Sequence, residues 1–532
     1  MPPPRERSIL DGREEAVEER LARALHAIGR VRDVVLVPGG AAAGPTLDAY
    51  LVVDTTREEL TDRHVREWAL VFEHRYRGRF GERPADDFAG WRSSFTGQPI
   101  SRREMVDWLS GAVRRLRSLH PRNVLEIGCG TGLVARRLIG AVDSYVAADP
   151  SEAAVERLGR DPILAGATRF EALHRPAHVW AGLPRDRDLV ILNSVVQYFP
   201  SAGYLRDVVE IASRHVIDGG HVFIGDVRNL ALAPLHYAEA SVARSRPQVR
   251  VGELASAVRL REHGEQELLL DPRWFLELRR WCSDVTHVAV RPRAGRLPSE
   301  MNRYRYDVTL SIRDGAAVEP GESIHWGRDV RSVDDLVRVR SRARTPVLVA
   351  GIPNRWLSRG VRAWHAIHLA PGRTVRELRE RLRLESSAGL APPDLDAAGA
   401  SGSPGMDARW EGCSSRGHFA ALLVPAPFAG RAIACPPGHA AAPPTLLSTE
   451  PALTRLARGL ARPGHDAVTG VLDGRDLPWA RFRLWVADAA ASTLRSRGAV
   501  TPQGGAVCCL AIGSDGDVAW PLSAAARIPP DP

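Results

Sequence analysis

The sequence predicts an α/β fold. It is a Rossmann-like, doubly wound sheet, mostly parallel with a late antiparallel edge strand, plus small α+β flanking elements. Three observations carry this. Short apolar runs near 123–127, 144–148, 168–173, 187–192 and 220–225 alternate with helical patterns, as parallel strands and their crossovers do. The first run, Val124-Leu125-Glu126-Ile127, breaks into Gly128, Gly130 and Gly132, and Leu133 to Ile139 resumes at helical spacing. Two last runs, Val285–Val290 and Tyr304–Ile312, follow a helical, charged stretch (249–280) and suit an antiparallel hairpin at the sheet edge.

Element by element, five stretches separate. Residues 9–56 hold a helical pattern from Glu14 to Ile28, then apolar runs Val31–Val37 and Leu47–Val53 around a Gly/Ala/Pro turn. That is too little to hold a core alone. Residues 57–120 read as helices around an irregular middle, Phe88–Ile100, and 121–315 as the sheet domain. In 320–430 the pattern gives a buried strand at Pro346–Ile352, a helix at Thr374–Leu384, a loop at Ala397–Gly405 and a strand at Phe419–Val424. From 431 to 532 the composition turns to Ala, Gly and Pro, with short helical pieces at Ala452–Leu460 and Leu484–Leu494. No repeat period is visible in the sequence.

Composition excludes several classes. With 532 residues the chain has room for about two to four domains, and 44% hydrophobic with 25% charged residues describes an ordinary globular protein. No apolar run reaches membrane-span length and the first residues lack a leader's apolar segment, so a cytoplasmic location and no membrane partner are expected. The net charge of +9 comes from a lysine-free chain whose arginines are scattered rather than gathered among aromatics, so no nucleic-acid partner is expected. Six cysteines without paired CxxC spacing support neither a zinc site nor a disulfide framework, and Cys508-Cys509 reads as buried free thiols. His365 and His368 have helical spacing but no third ligand nearby, so no metal is expected.

The glycine turn carries the chemistry. A strand, a glycine turn and a helix make a nucleotide-type cofactor site, and two acids select the cofactor. Glu126 lies inside the strand end, where a sulfonium cofactor with an amino group is tolerated and a pyrophosphate is not. Asp149 ends the second strand, placed to accept hydrogen bonds from both ribose hydroxyls. S-adenosyl-L-methionine is therefore the expected cofactor. Its expected contacts are Glu126, Gly128, Gly130, Gly132 and Asp149, with Asn193 and Ser194 at the end of the fourth strand along the methionine moiety.

Four longer motifs resemble a known family. Asn193-Ser194-Val195-Val196-Gln197-Tyr198-Phe199-Pro200 and Gly225-Asp226-Val227-Arg228-Asn229-Leu230 stand beside the glycine turn. Gly90-Trp91-Arg92-Ser93-Ser94-Phe95-Thr96-Gly97-Gln98-Pro99-Ile100 precedes it and Arg303-Tyr304-Arg305-Tyr306-Asp307-Val308 follows. Together they resemble the methyltransferase domains embedded in nonribosomal peptide synthetases, strongly over 63–315 and more weakly through 325–430, where Gly351-Ile352-Pro353-Asn354-Arg355 is similar to that family's C-terminal segment. In such synthetases the methyltransferase interrupts the C-terminal subdomain of an adenylation domain. By that resemblance 9–56 and 431–532 are remnants of this subdomain, 57–120 is a helical cap, 121–315 the S-adenosylmethionine-binding core and 320–430 its extension. The pieces 9–53 and 431–532 are expected to pack together as one split subdomain. Where the family has a lysine after its TPNG motif, this chain has Gly505 after Thr501-Pro502-Gln503-Gly504.

The resemblance implies a methyltransferase of peptide natural-product biosynthesis, N-methylating an aminoacyl or peptidyl amine held on a carrier domain, with an adenylation domain as a second partner. Two alternatives stay open: a methyltransferase acting on a free small-molecule product, and a non-catalytic synthetase fragment that docks partner domains. An amine must be neutral to attack, so a proton acceptor is required. Tyr198, Asp226 and His236 are the catalytic candidates. Asp226 reads either as a substrate-amine contact or as an ion pair with Arg228, and His236 either as catalytic or as a surface histidine. Trp91, Phe95 and Gln98 read as a cap over the cofactor or as plain packing. Arg303, Arg305 and Asp307 alternate on the last strand and read either as one face helping the active site or, more simply, as a solvated edge. By resemblance, adenine recognition falls near Ala177-His178, where no carboxylate stands and the backbone or His178 must substitute.

Overall fold

The computed structural model describes residues 31–39, 46–77, most of 87–449, 482–486 and 505–512, with a few isolated residues besides. The breaks within 87–449 fall at 89, 168, 264, 370–371, 385–388, 401–404, 411–416, 430 and 435–447. Two compact units divide the chain. One comprises 65–258 and 267–449, the other 1–64, 259–266 and 450–532.

In chain order the first strands are β1 (Val31–Gly39) and β2 (Thr46–Thr56), an antiparallel pair. The helix Arg57–Arg77 follows, then the helix Arg102–Arg117, whose N-cap Ser101 accepts the Glu104 amide. The large unit is built on β3 (Asn123–Ile127), β4 (Ser144–Asp149), β5 (Phe170–His174), β6 (Arg187–Asn193), β7 (Val216–Arg228), β8 (Val285–Pro292) and β9 (Arg305–Ile312). Their order in the sheet is β5-β4-β3-β6-β7-β9-β8, with β9 antiparallel to both its neighbours, β7 and β8, and the other strands all running in one direction.

Strand alternation explains why both faces are covered. Val124, Leu189 and Ile191 face one layer with Trp108, Leu109 and Val113 of the helix Arg102–Arg117. Leu125, Val190 and Leu192 face the other, with Leu205, Val208 and Val209 of the helix Ala202–His215. Because β9 lies between β7 and β8, it is not an edge. The solvated reading of Arg303, Arg305 and Asp307 is corrected accordingly: Arg303, just before β9, and Asp307 are buried, held by Glu239 and by Arg293 and Arg115, and Arg305 pairs with Asp226. Burial leaves Arg303 and Asp307 no water to face, so each charge has a protein partner.

A second sheet in this unit comprises β10 (Glu322–His325), β11 (Val347–Pro353), β12 (Met406–Arg409) and β13 (His418–Leu423), in the order β10-β11-β13-β12. It repeats the second half of the first sheet. β6 and β7 are parallel, β9 returns antiparallel and β8 pairs outside it; β10, β11, β13 and β12 do the same. Asn229 after β7 and Asn354 after β11 each cap a short 3-10 turn leading into a helix. Each Asn also bridges a later leucine, Leu270 or Leu390, just before a helix that opens with proline. The likeness is one of strand order and turn chemistry at these few positions. Helix Pro392–Ala400 occupies part of the loop expected at Ala397–Gly405, since its alanines favour helix.

The last strands are β14 (Phe482–Val486) and β15 (Gly505–Ile512). They complete a four-stranded sheet, β1-β2-β15-β14, with Leu51 opposite Cys508 and Tyr50 opposite Cys509. The two flanks of the chain thus share one sheet. The helical piece expected from Leu484 is strand over Leu484–Val486, where alternating aromatic and branched residues pair with β15. The helix expected at Glu14–Ile28, most of that at Ala452–Leu460 and the segment 501–504 lie outside the described residues.

Candidate functional site

The glycine turn runs from the end of β3 over the end of β4. Gly128, Gly130 and Gly132 all have positive φ (74°, 51° and 75°). At Gly128 a side chain is barred twice, by that backbone and by Val195, whose Cγ2 would lie 2.5 Å from an added Cβ. Asp149 closes the turn: its Oδ2 accepts the Gly130 amide at 2.8 Å and its Oδ1 the Ser151 amide at 2.9 Å. Burial lifts the Asp149 carboxyl to about 6 against those amide hydrogen bonds. Glu126 is also buried, and burial pushes it up to about 8, although its Oε2 accepts the Tyr145 hydroxyl at 2.7 Å.

Glu126, Gly128, Gly130, Asp149, Asn193, Ser194 and Tyr198 line one cleft. Gly132 lies behind the turn, packed against Leu158 and Leu164. The opposite wall is aromatic. Trp68, Phe72 and Tyr76 repeat at four-residue spacing on the helix Arg57–Arg77, and Trp68 and Phe72 pack on Tyr198 with centroids 4.6 Å and 4.9 Å away. Burial lifts the Tyr198 hydroxyl to about 12, with the charge of Glu267 adding to the rise. Trp91 lines the cleft beside Trp108. Gln98 is exposed and Phe95 packs on His236 and Tyr304 instead, so of the three expected cap residues Trp91 is the one that lines the cleft. Beyond β5 the wall is Pro176 and Ala177; His178 is exposed and hydrogen-bonds the Tyr204 hydroxyl.

The three catalytic candidates do not meet at one point. Asp226, with no exposed surface, stands behind the cleft in a left-handed backbone conformation (φ 64°). Its Oδ1 accepts Trp108 Nε1 at 2.8 Å; its Oδ2 accepts Ser194 Oγ at 2.8 Å and Arg305 Nη1 at 2.6 Å. The ion pair expected with Arg228 is replaced by the one with Arg305, and Arg228 reaches Glu267 at 2.9 Å. His236 lines a second, polar cavity with Ser94, Arg228, Glu267, Glu300 and Arg305. The two cavities adjoin through Asp226, which holds Ser194 of one and Arg305 of the other.

Sequence reading missed the aromatic wall and the carboxylates of the polar cavity. Trp68, Phe72 and Tyr76 were legible as a helical stripe. Glu267 and Glu300 had no local signal, because only folding brings them to the sheet's carboxyl edge.

Residues 125–222 match the model of a family described as a methyltransferase domain. The chain carries a methyltransferase domain. Its sheet is that of the S-adenosylmethionine-binding methyltransferase fold. Over 347 residues the chain is 37% identical to a probable non-canonical nonribosomal peptide synthetase, CymA, of Salinispora arenicola, covering 64% of this chain and 4% of that one. Over 325 residues it is 32% identical to the cyclosporin synthetase of Tolypocladium inflatum, covering 55% of this chain and 2% of that one. The chain therefore spans only a small fraction of these relatives. The solved magnesium protoporphyrin IX methyltransferase of Synechocystis PCC 6803 is 14% identical, covering 47% of this chain and 99% of that one at a TM-score of 0.31.

The cleft of the methyltransferase domain fits the expected cofactor in chemistry. Asn193 Oδ1, buried and lining the cleft, has no hydrogen-bond partner within the protein. With Glu126 and Asp149 it puts three buried polar side chains on the cleft lining, the chemistry that a ligand bearing an ammonium group and ribose hydroxyls requires. No helix among the described residues is long and apolar enough to cross a membrane.

Proposed function

We propose that the chain N-methylates the α-amine of an aminoacyl or peptidyl group presented on a carrier domain, using S-adenosylmethionine. The observation that carries this reading is the adjacency of two unlike cavities. One is an aromatic-walled cleft with Glu126 and Asp149; the other is a polar cavity with Glu267, Glu300 and His236. The first suits a cationic donor, the second a polar acceptor that must lose a proton. Bound in the cleft, the cofactor supplies an electrophilic methyl group on a sulfonium sulfur.

The chain's own residues bind and orient. Glu126 meets an ammonium group, Asp149 hydroxyl groups, and Asn193 and Ser194 the polar remainder. Trp68, Phe72 and Tyr198 exclude water from the reacting centre and fix the donor against the acceptor, where positioning supplies most of the rate. Similarity to peptide synthetases supports a carrier-bound acceptor. The shared sheet β1-β2-β15-β14 supports reading the two flanks as one split subdomain, a remnant of an adenylation domain and a docking site for such a partner.

The experiment offers the purified chain methyl-labelled S-adenosylmethionine with aminoacyl thioesters on a carrier domain, beside the matching free amino acids. Label on the α-nitrogen of carrier-bound substrate alone is expected. Label on oxygen, or on free molecules only, would overturn the reading in favour of a tailoring methyltransferase; cofactor binding without transfer to any acceptor would favour the docking fragment.

A further inference from the structure

We infer that His236, Ser94 and Glu300 form the proton acceptor of the polar cavity, with His236 taking the proton from the acceptor amine. This rests on the amine-methylation reading above and adds to it a named base with its two positioning residues.

Three segments far apart in sequence converge here. Ser94 lies in the loop after Trp91, His236 in the helix Ala233–Arg244 and Glu300 at the start of the helix Glu300–Arg303. Ser94 Oγ is 2.7 Å from His236 Nε2 and donates to Glu300 Oε2 at 2.6 Å. Glu300 is fixed in turn by the Ser94 amide at 3.0 Å. A hydroxyl has one hydrogen. Since Ser94 gives its hydrogen to Glu300, it accepts from His236, which places the imidazole hydrogen on Nε2 and makes Nδ1 the basic nitrogen.

The ring itself is clamped by Phe95 and Tyr304, with centroids 5.7 Å and 4.7 Å away. Such packing fixes the orientation a base needs and is more than a surface histidine requires. The step balances simply. An N–H bond of the ammonium breaks, the proton bonds to Nδ1, and the nitrogen keeps the electron pair with which it attacks. The imidazolium formed is then stabilised through Ser94 by the Glu300 carboxylate, the arrangement of a base oriented by a third group.

Other charges act on the same cavity. Arg92, Arg228, Arg305 and Glu267 line it as well. Arg303, stacked over Phe95 and Tyr304, is balanced by Glu239, which Arg359 also approaches at 3.7 Å. Glu300 is the carboxylate coupled to the ring through a hydrogen-bonded path.

The test compares the native chain with His236→Gln, Ser94→Ala and Glu300→Gln, using alanyl-pantetheine thioester as the acceptor probe from pH 6 to 10. His236→Gln is expected to lower kcat at pH 7 about 10²-fold or more, with recovery as rising pH frees the amine. Ser94→Ala and Glu300→Gln are expected to lower the plateau about tenfold and move the acid limb to lower pH, since the ring loses its carboxylate. Cofactor affinity by calorimetry stays within about twofold in all three, which certifies the fold. Coinciding pH profiles for native and variants would overturn the relay. A second readout needs no turnover: the ¹⁵N shifts of His236 should titrate at lower pH in Glu300→Gln, and an unmoved titration would also overturn it. A moved titration in a chain that methylates no amine supports the coupling and refutes the amine reading, so the two failures are distinguishable.

Discussion

Gly225 and Asn193 are register partners on adjacent parallel strands, and a Cβ on Gly225 would fall 2.3 Å from Asn193 Oδ1. The glycine on β7 therefore makes room for a cleft-lining group on β6. Gly225→Ala should push Asn193 out of position at about 1–3 kcal/mol of overpacking. Calorimetry is expected to show at least a tenfold loss of S-adenosylmethionine affinity in a chain that still melts cooperatively. Unchanged affinity would remove Asn193 from the cofactor site.

Glu126 should report cofactor binding through protons. With its carboxyl at about 8 it is largely protonated at pH 7, and a bound ammonium favours the ionised form. Titrations in buffers of different ionisation heat should reveal proton release at pH 7, and Glu126→Gln should abolish the buffer dependence.

The same raised values fix the sign of the pH dependence without ligand. Folded-state values above the ordinary ones, about 8 against 4.5 for Glu126 and about 6 against 3.8 for Asp149, mean that the folded chain holds these protons more tightly than the unfolded one. Their stabilisation is fully present below the ordinary values and is lost as pH rises through about 6 and about 8. Thermal melts should decline over that range, less steeply in Glu126→Gln.

Tyr198 separates packing from chemistry. Its ring packs on Trp68 and Phe72, so Tyr198→Phe should keep cofactor affinity within about twofold. Tyr198→Ala opens the wall and should lose tenfold or more. Equal losses in both would assign the hydroxyl, and not the ring, the binding role.

The buried pair Arg293–Asp307 supports the sheet under the site. Both side chains are fully buried, and Asp307 Oδ1 also accepts the Asp226 amide at 3.0 Å. Arg293→Ala leaves a buried carboxylate without that partner and should cost about 3–5 kcal/mol in urea unfolding. A loss below about 1 kcal/mol would show that Arg115 alone, 2.6 Å from Asp307, suffices.

What the sequence determined by itself is local. Strand periodicity, the turn at Gly128, Gly130 and Gly132, and the acids Glu126 and Asp149 are encoded within a few residues, so β3 to β7 and the glycine-turn side of the cleft were legible before folding. Four motifs in order also pointed to the family. The tertiary structure decided the rest. It buried Asp226 against Trp108, Ser194 and Arg305, set β9 between β7 and β8 within the expected edge hairpin so that Asp307 is buried, and built a second sheet of β10 to β13. It also carried Ser94 to His236 and Glu300 across 142 and 206 residues of chain. Such contacts have no sequence period, because they follow from which strand lies beside which. Burial then decides which charges need partners, and that is a property of the folded interior alone.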